Sequence, residues 1–204
     1  MISILCVDDH PVVLDGLSAI IAMQPQMNLV ATAASGGKAL QAFREHKPDV
    51  TIVDLRLPDM SGFELIKAVR KLDGAAKIIV LSSYDGDADI QRALDAGAQG
   101  YVAKGLVRDE LLTAIHTVSA GRKHIPPAIA QRLVGHMQDD AISEREVQVL
   151  SLVALGKRNK EIAADLSIAE DTVKMHVRNI FSKLNVTDRT EAVTVALRRG
   201  IIHL

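Results

Sequence analysis

Over the first 120 residues, short runs of consecutive apolar side chains alternate with longer stretches in which apolar positions recur every three or four residues. The runs are Ile2–Val7, Leu29–Ala33, Val50–Val53, Ile78–Leu81 and Gly100–Ala103, each of strand length and rich in Ile, Val and Ala. Between and after them, Val12–Met23, Lys38–Glu45, Phe63–Lys71, Ala88–Ala96 and Asp109–Ala120 carry the helical period. Five strands alternating with five helices predict an α/β fold with a doubly wound parallel sheet. The unbroken apolar strands agree, because helices covering both faces of a sheet bury both sides of every strand.

The pattern changes at Gly121. Pro126-Pro127 ends whatever regular structure precedes it, Ala128–Met137 has the makings of a short helix, and Gln138, Asp139 and Asp140 are polar. Residues 121–142 therefore read as a linker between a first domain, 1–120, and a second, 143–204. In the second, every periodic segment is helical. Ser143 with Glu146, and Asp188 with Glu191, have the form of capping boxes opening the first and last helices. Between them, helices of about Lys160–Asp165 and Glu170–Leu184 flank Leu166-Ser167-Ile168, the spacing of a helix-turn-helix in an all-α four-helix domain.

Composition narrows the class without changing this outline. The 204 residues are 48% hydrophobic and 24% charged, as in an ordinary globular protein. No stretch approaches the roughly 18 apolar residues of a membrane span, and the N-terminus leads straight into a strand without a secretory pattern, so a cytosolic protein is expected. Cys6 is the only cysteine, which rules out an intrachain disulfide, and its apolar run marks it as a small core hydrophobe. Residues 1–124 carry 13 basic and 15 acidic side chains, whereas 143–204 carry 10 and 8. That asymmetry is too small to argue for nucleic acid by itself.

Five side chains fall at or just past the C-terminal ends of the predicted strands, where an open parallel sheet builds its site: Asp8, Asp9, Asp54, Ser82 and Lys104. Three carboxylates gathered there suit a hard divalent cation such as Mg2+ and leave one free as a nucleophile. The cation would screen the repulsion between that carboxylate and an anionic phosphoryl donor. Lys104 and Ser82 would then serve the remaining phosphoryl oxygens.

With "VDDHP", "TIVDLRLPDMSG", "IIVLSS" and "GYVAKG", the first 120 residues resemble a response-regulator receiver domain. The resemblance implies the flavodoxin-like strand order 2-1-3-4-5. It makes Asp54 the acceptor of a phosphoryl group from a phosphohistidine on a sensor kinase. It also implies Mg2+ held by Asp8, Asp9, Asp54 and the backbone carbonyl of Arg56, with Ser82 and Tyr101 as a switch pair. In this switch, added charge on Asp54 draws the Ser82 hydroxyl inward and leaves space for the Tyr101 ring.

Two local features modify the resemblance. Gly105 follows Lys104 where many receivers have proline, so a cis X-Pro bond cannot shape that loop. Arg56 and Tyr84 each lie two residues beyond a site residue, and screening of the phosphoryl group by them predicts slow hydrolysis. A phosphatase of the haloacid-dehalogenase type would also use an aspartate nucleophile, but Arg56 stands where that family has its general acid. A DNA-binding protein whose receiver ignores phosphate is a further alternative, against which all five site residues count.

From Ile142 to Leu204 the chain resembles the NarL/FixJ, or LuxR-type, effector domain, carried by "SEREVQVLSLVALGKRNKEIAADLSIAEDTVKMHVRNIFSKLNVTDRTEA". Val173, Val177, Ile180 and Leu184 recur at helical spacing and should face its core. Lys174, Met175, Arg178 and Lys183 then project elsewhere, as candidates to read a major groove. Lys157, Arg158 and Lys160 suit phosphate contacts, and His176 is expected to pack or bond to backbone. Ala169 occupies the cap position of the recognition helix without a capping oxygen. Helix-turn-helix proteins usually pair on two half-sites, so a homodimer on double-stranded DNA is expected. By resemblance the final helix, Thr190–Arg199, is the dimer contact. Its Ala192, Val193, Val195 and Ala196 leave core and interface roles open.

Overall fold

In a computed structural model, residues 1–83, 86–105, 108–127, 130 and 142–202 are described. They fall into two compact units, one made of residues 1–84 and 90–130, the other of 85–89 and 131–204. The possible helix Ala128–Met137 lies, apart from Ala130, outside the described residues, as does Tyr84.

The first unit contains β1 (Ile2–Val7), β2 (Met27–Ala33), β3 (Val50–Val53), β4 (Ile78–Ser82) and β5 (Gly100–Ala103). Helices α1 (Pro11–Ala22), α2 (Gly36–His46), α3 (Gly62–Leu72), α4 (Asp87–Ala96, of which 90–96 belong to this unit) and α5 (Arg108–Ser119) follow them in turn. The sheet has the order β2-β1-β3-β4-β5 with every pair parallel. This is the expected doubly wound topology. β2 begins two residues before the apolar run because Met27 pairs with Ile2 while exposed Asn28 interrupts the pattern.

One side of the core joins Ile4, Cys6, Ile52, Ile79, Leu81 and Val102 of the strands to Leu17, Ile21, Leu111, Ile115 and Val118 of α1 and α5. Burial, with Asp8 nearby, pushes the Cys6 thiol up to about 12, so it stays protonated and inert. Two further helices are fixed at their starts by local caps. The Ser35 hydroxyl caps α2, and Ser61 and Glu64 form a full capping box on α3. Beyond α5, Gly121 takes φ 77° and the chain turns back along the sheet edge. His124 N donates to Gln99 O (2.8 Å) and Tyr101 N donates to His124 O (3.0 Å). The start of the segment read as linker thus pairs with β5.

The second unit comprises α6 (Glu144–Ala154), α7 (Asn159–Asp165), α8 (Glu170–Leu184) and α9 (Arg189–Arg198). Val149, Leu150, Val153, Ile162, Val173, Ile180 and Leu184 form its core together with Ala192 and Ala196. The Ser143–Glu146 capping box is present. At α9 the Asp188 carboxylate accepts from Glu191 N, but Glu191 reaches one residue further back, to Thr187 N (2.9 Å). The turn between α7 and α8 is closed by Ser167 at φ 52°. Arg145 of α6 donates to Leu166 O in that turn (2.9 Å).

Candidate functional site

Parallel strands β1, β3, β4 and β5 end on the same edge, which brings their terminal residues together. Asp8 and Asp54 are buried there, and Asp9 is exposed at the rim. The Lys104 ammonium lies between the two buried carboxylates, 2.7 Å from Asp8 Oδ2 and 2.8 Å from Asp54 Oδ2. The other Asp54 oxygen, Oδ1, accepts from Leu55 N at 2.8 Å. Lys104 N donates to Ser82 O (2.8 Å), so the ends of β4 and β5 are locked in register beside the acid cluster. No cis peptide bond occurs among the described residues, in keeping with Gly105 after Lys104.

Burial pushes the Asp54 carboxyl above the usual carboxylate range, against the pull of the Lys104 ammonium. For Lys104, burial acts downward, but its bonds to Asp54 and Asp8 outweigh it and hold the ammonium above its ordinary value. The lysine is thus firmly charged, and it offsets repulsion between carboxylates held close together. Ligand atoms of Asp8, Asp9, His10 and Asp54 lie within 4.8 Å of one another. Such a set of mostly carboxylate oxygens fits a hard divalent cation.

His10 is a member of this cluster that sequence reasoning missed. Its amide donates to Asp8 Oδ1 at 2.9 Å, and its Nδ1 lies 3.1 Å from Asp8 Oδ1 and 2.7 Å from Asp9 Oδ1. The available signal was its place directly after the acidic pair, in the N-cap position of α1 ahead of Pro11. Ser82 and Tyr101 are both fully buried. Arg56 is exposed in the segment after β3.

In the second unit, α8 presents Lys174, Met175 and Arg178 to solvent, with Met175 47% exposed despite its apolar side chain. Val173, Ile180 and Leu184 face the core, and Val177 is partly buried against it. The Lys174 ammonium is held by acids of the first turn of its own helix, Asp171 (3.1 Å) and Glu170 (3.4 Å). These acids also favour the N-terminal end of the helix dipole, where Ala169 supplies no side-chain cap. On α7 and the loop before it, Arg158 and Lys160 are exposed, and Lys157 pairs with Asp165.

Three expected roles are revised. Lys183 does not project freely from α8, because its ammonium bonds buried Glu146 at 2.8 Å. Ala192 and Ala196 are fully buried core residues, which removes them as dimer contacts. Val193 and Val195 are partly buried against the same core.

Comparison with known proteins places these two sites in context. Residues 4–116 match the response regulator receiver domain, and residues 140–196 match the bacterial regulatory proteins of the luxR family. Response regulator protein VraR of Staphylococcus aureus is 36% identical, with 99% of each chain covered. Transcriptional regulatory protein LnrK of Bacillus subtilis is 33% identical over 98% of this chain and 99% of its own. Among solved structures, RcsB from Salmonella enterica serovar Typhimurium, bound to promoter rprA in the presence of the phosphomimetic BeF3-, is similar with a TM-score of 0.72. It is 25% identical, with 97% of this chain and 99% of that chain covered.

Proposed function

Because the chain belongs to the response regulators that join a receiver domain to a LuxR-type DNA-binding domain, we propose that Asp54 is its phosphoacceptor and that the state of Asp54 governs DNA binding by the second unit. The family consists of DNA-binding transcription regulators rather than metabolic enzymes, and phosphorylation control is general to it. The observation that carries the assignment is the buried Asp54 carboxylate, bonded to Lys104 and facing Asp8 and Asp9 at the strand ends.

In this reading an Asp54 oxygen forms a bond to phosphorus as the donor's P–N bond breaks, and the electron pair leaves with the imidazole nitrogen of a sensor histidine kinase. Asp8, Asp9, Asp54 and the Arg56 carbonyl would hold Mg2+, which when bound would supply positive charge for the phosphoryl oxygens. Lys104 contributes a second positive charge, already aimed at Asp54, and Ser82 contributes a hydroxyl donor from the end of β4. Transfer exchanges a carboxylate for an acyl phosphate with more charge and more acceptor oxygens. Lys104 and Ser82 follow those oxygens, and their strands carry the change to Tyr101 on β5.

The output is DNA binding by α8. Lys174 and Arg178, four residues apart, would address guanine edges or phosphates, Met175 would make an apolar contact, and Arg158, Lys160 and Lys157 would set position on the backbone. For Lys174 this requires exchanging Glu170 and Asp171 for the nucleic acid. A homodimer on paired half-sites supplies the affinity that one helix lacks, and this role places the protein in the cytoplasm. RcsB on its promoter supports the DNA-bound arrangement.

The test is incubation with phosphoramidate and Mg2+, followed by intact-mass measurement and selection of genomic DNA fragments. Wild type should gain one phosphoryl group and enrich a paired half-site more strongly. Asp54→Ala should do neither. Enrichment indifferent to the phosphodonor would refute control through Asp54.

A further inference from the structure

The segment between β3 and α3 carries the Asp54 carboxylate, the Leu55 amide that holds it and the Arg56 carbonyl. Its base is closed on itself: Gly62 N donates to Leu55 O (2.8 Å), and Arg56 forms an antiparallel bridge with Ser61. Its tip is tied to a different element. Asp59 Oδ1 accepts from Gly36 N at 2.8 Å and Asp59 Oδ2 accepts from Gly37 N at 2.8 Å. One carboxylate thus straddles the first two residues of α2, more than twenty positions away in the chain.

This grip is distinct from the ordinary cap of α2. Ser35 Oγ accepts from Lys38 N (3.4 Å), while Asp59 takes the two amides before it. A carboxylate at a helix N-terminus gains from the exposed amides and from the dipole together. The two amides hold the Asp59 carboxyl below the usual carboxylate range, so the grip is charged throughout the neutral range. The next residue reinforces it. Met60 packs so closely on Gly36 that a Cβ there would lie 2.4 Å from Met60 Cγ, which makes glycine the residue that admits it.

We propose that Asp59 is a positioning residue for phosphorylation: by gripping the first turn of α2 it fixes the backbone at Leu55 and Arg56, from which the carbonyl ligand of the cation site would come. The inference rests on the reading of Asp54 as phosphoacceptor. A free tip would leave the base bonds, Gly62 N to Leu55 O and Arg56 to Ser61, as the segment's remaining anchors, so the backbone would be held less closely and the cation would have to select its bound position on binding. The cost falls on cation affinity and spares the chemical step once the cation is bound.

The experiment measures Mg2+ affinity by calorimetry and the rate of phosphorylation by phosphoramidate across Mg2+ concentrations, on the full chain well below its melting temperature. Wild type is compared with Asp59→Ala, Asp59→Asn and Ser35→Ala. Asp59→Ala should weaken Mg2+ by about threefold to tenfold, below the loss typical of a group bonded directly to a metal ligand. Its rate at saturating Mg2+ should stay near wild type. Asp59→Asn, which keeps one acceptor oxygen, should fall between them. Ser35→Ala removes the helix's own cap without touching the segment, and should lower the melting temperature while leaving Mg2+ affinity unchanged.

Equal Mg2+ affinity in wild type and Asp59→Ala would overturn the proposal. So would a loss of affinity in Ser35→Ala as large as that in Asp59→Ala, which would reduce Asp59 to a helix stabiliser. Failure of the wild type itself to bind Mg2+ or take a phosphoryl group would instead refute the functional reading, and this inference with it.

Discussion

Replacing Lys183 with methionine tests how the recognition helix is held. The Glu146 side chain is 4% exposed and accepts from Ser143 N, Ser143 Oγ and Lys183 Nζ, each at 2.8 Å. Breaking a fully buried ion pair costs about 3–5 kcal/mol. Here the Lys183 side chain keeps 22% exposure and Glu146 keeps both Ser143 donors, so about 2 kcal/mol is expected. In a unit of this size each kcal/mol shifts the melting temperature by about 4–8 °C, so Lys183→Met should lower its transition by about 10 °C.

The effect should also depend on pH in a defined direction. Burial acts upward on the Glu146 carboxyl, but the Lys183 and Ser143 donors outweigh it and hold the group below its ordinary value of 4.5. A carboxyl depressed in the folded state contributes stability above its unfolded pKa, and that contribution is lost as pH falls through the folded value. Scanning calorimetry of the full chain should therefore show the full gap between wild type and Lys183→Met at pH 7. The gap should close as the pH drops well below 4.5. Lys183 should also contribute nothing to the salt dependence of DNA binding, whereas losing a phosphate contact lowers that slope by about 0.9. An unchanged melting temperature, a gap that persists in acid, or a reduced salt slope would refute the reasoning.

Three other outcomes are expected. Gly62→Ala would set a Cβ 2.3 Å from Asp54 O, a backbone atom that cannot move cheaply. It should cost the first unit about 3 kcal/mol by denaturant titration and slow phosphorylation of Asp54. Ala169→Ser would supply the missing oxygen at the start of α8 and should stabilise the second unit by about 1 kcal/mol, read as a higher denaturant midpoint. Arg56→Ala combined with Tyr84→Ala should shorten the lifetime of the acyl phosphate, followed as loss of the phosphorylated mass after the donor is removed.

The elements of both units were readable because each depends on local periodicity. The apolar runs gave all five strands, and every helix of the first unit was found within a few residues. The acidic site was readable too, since parallel strands deliver their C-terminal ends to one edge and the sequence places Asp8, Asp9, Asp54, Ser82 and Lys104 there. Other features left weaker traces. The Ser61–Glu64 capping box was visible in principle as a Ser followed three residues later by Glu. His10 could be suspected only from its position beside the acidic pair.

By itself, then, the sequence determined the alternation of strands and helices in the first unit, the helical periodicity beyond residue 142, and the side chains available at the strand ends. These follow from spacing within a few residues, where the chain's own geometry fixes which side chains share a face. Tertiary structure decided which charges are already committed. Lys183 and Arg178 look alike in the sequence, yet one bonds Glu146 and the other is exposed, because the partner is 37 residues away. Ala192 and Ala196 are core because α9 packs on α6 and α8, and Asp59 meets α2 because β2 and β3, which lead into α2 and the Asp59 segment, flank β1 in one parallel sheet. Such pairings depend on how elements fold back on one another, which no periodicity along the chain records.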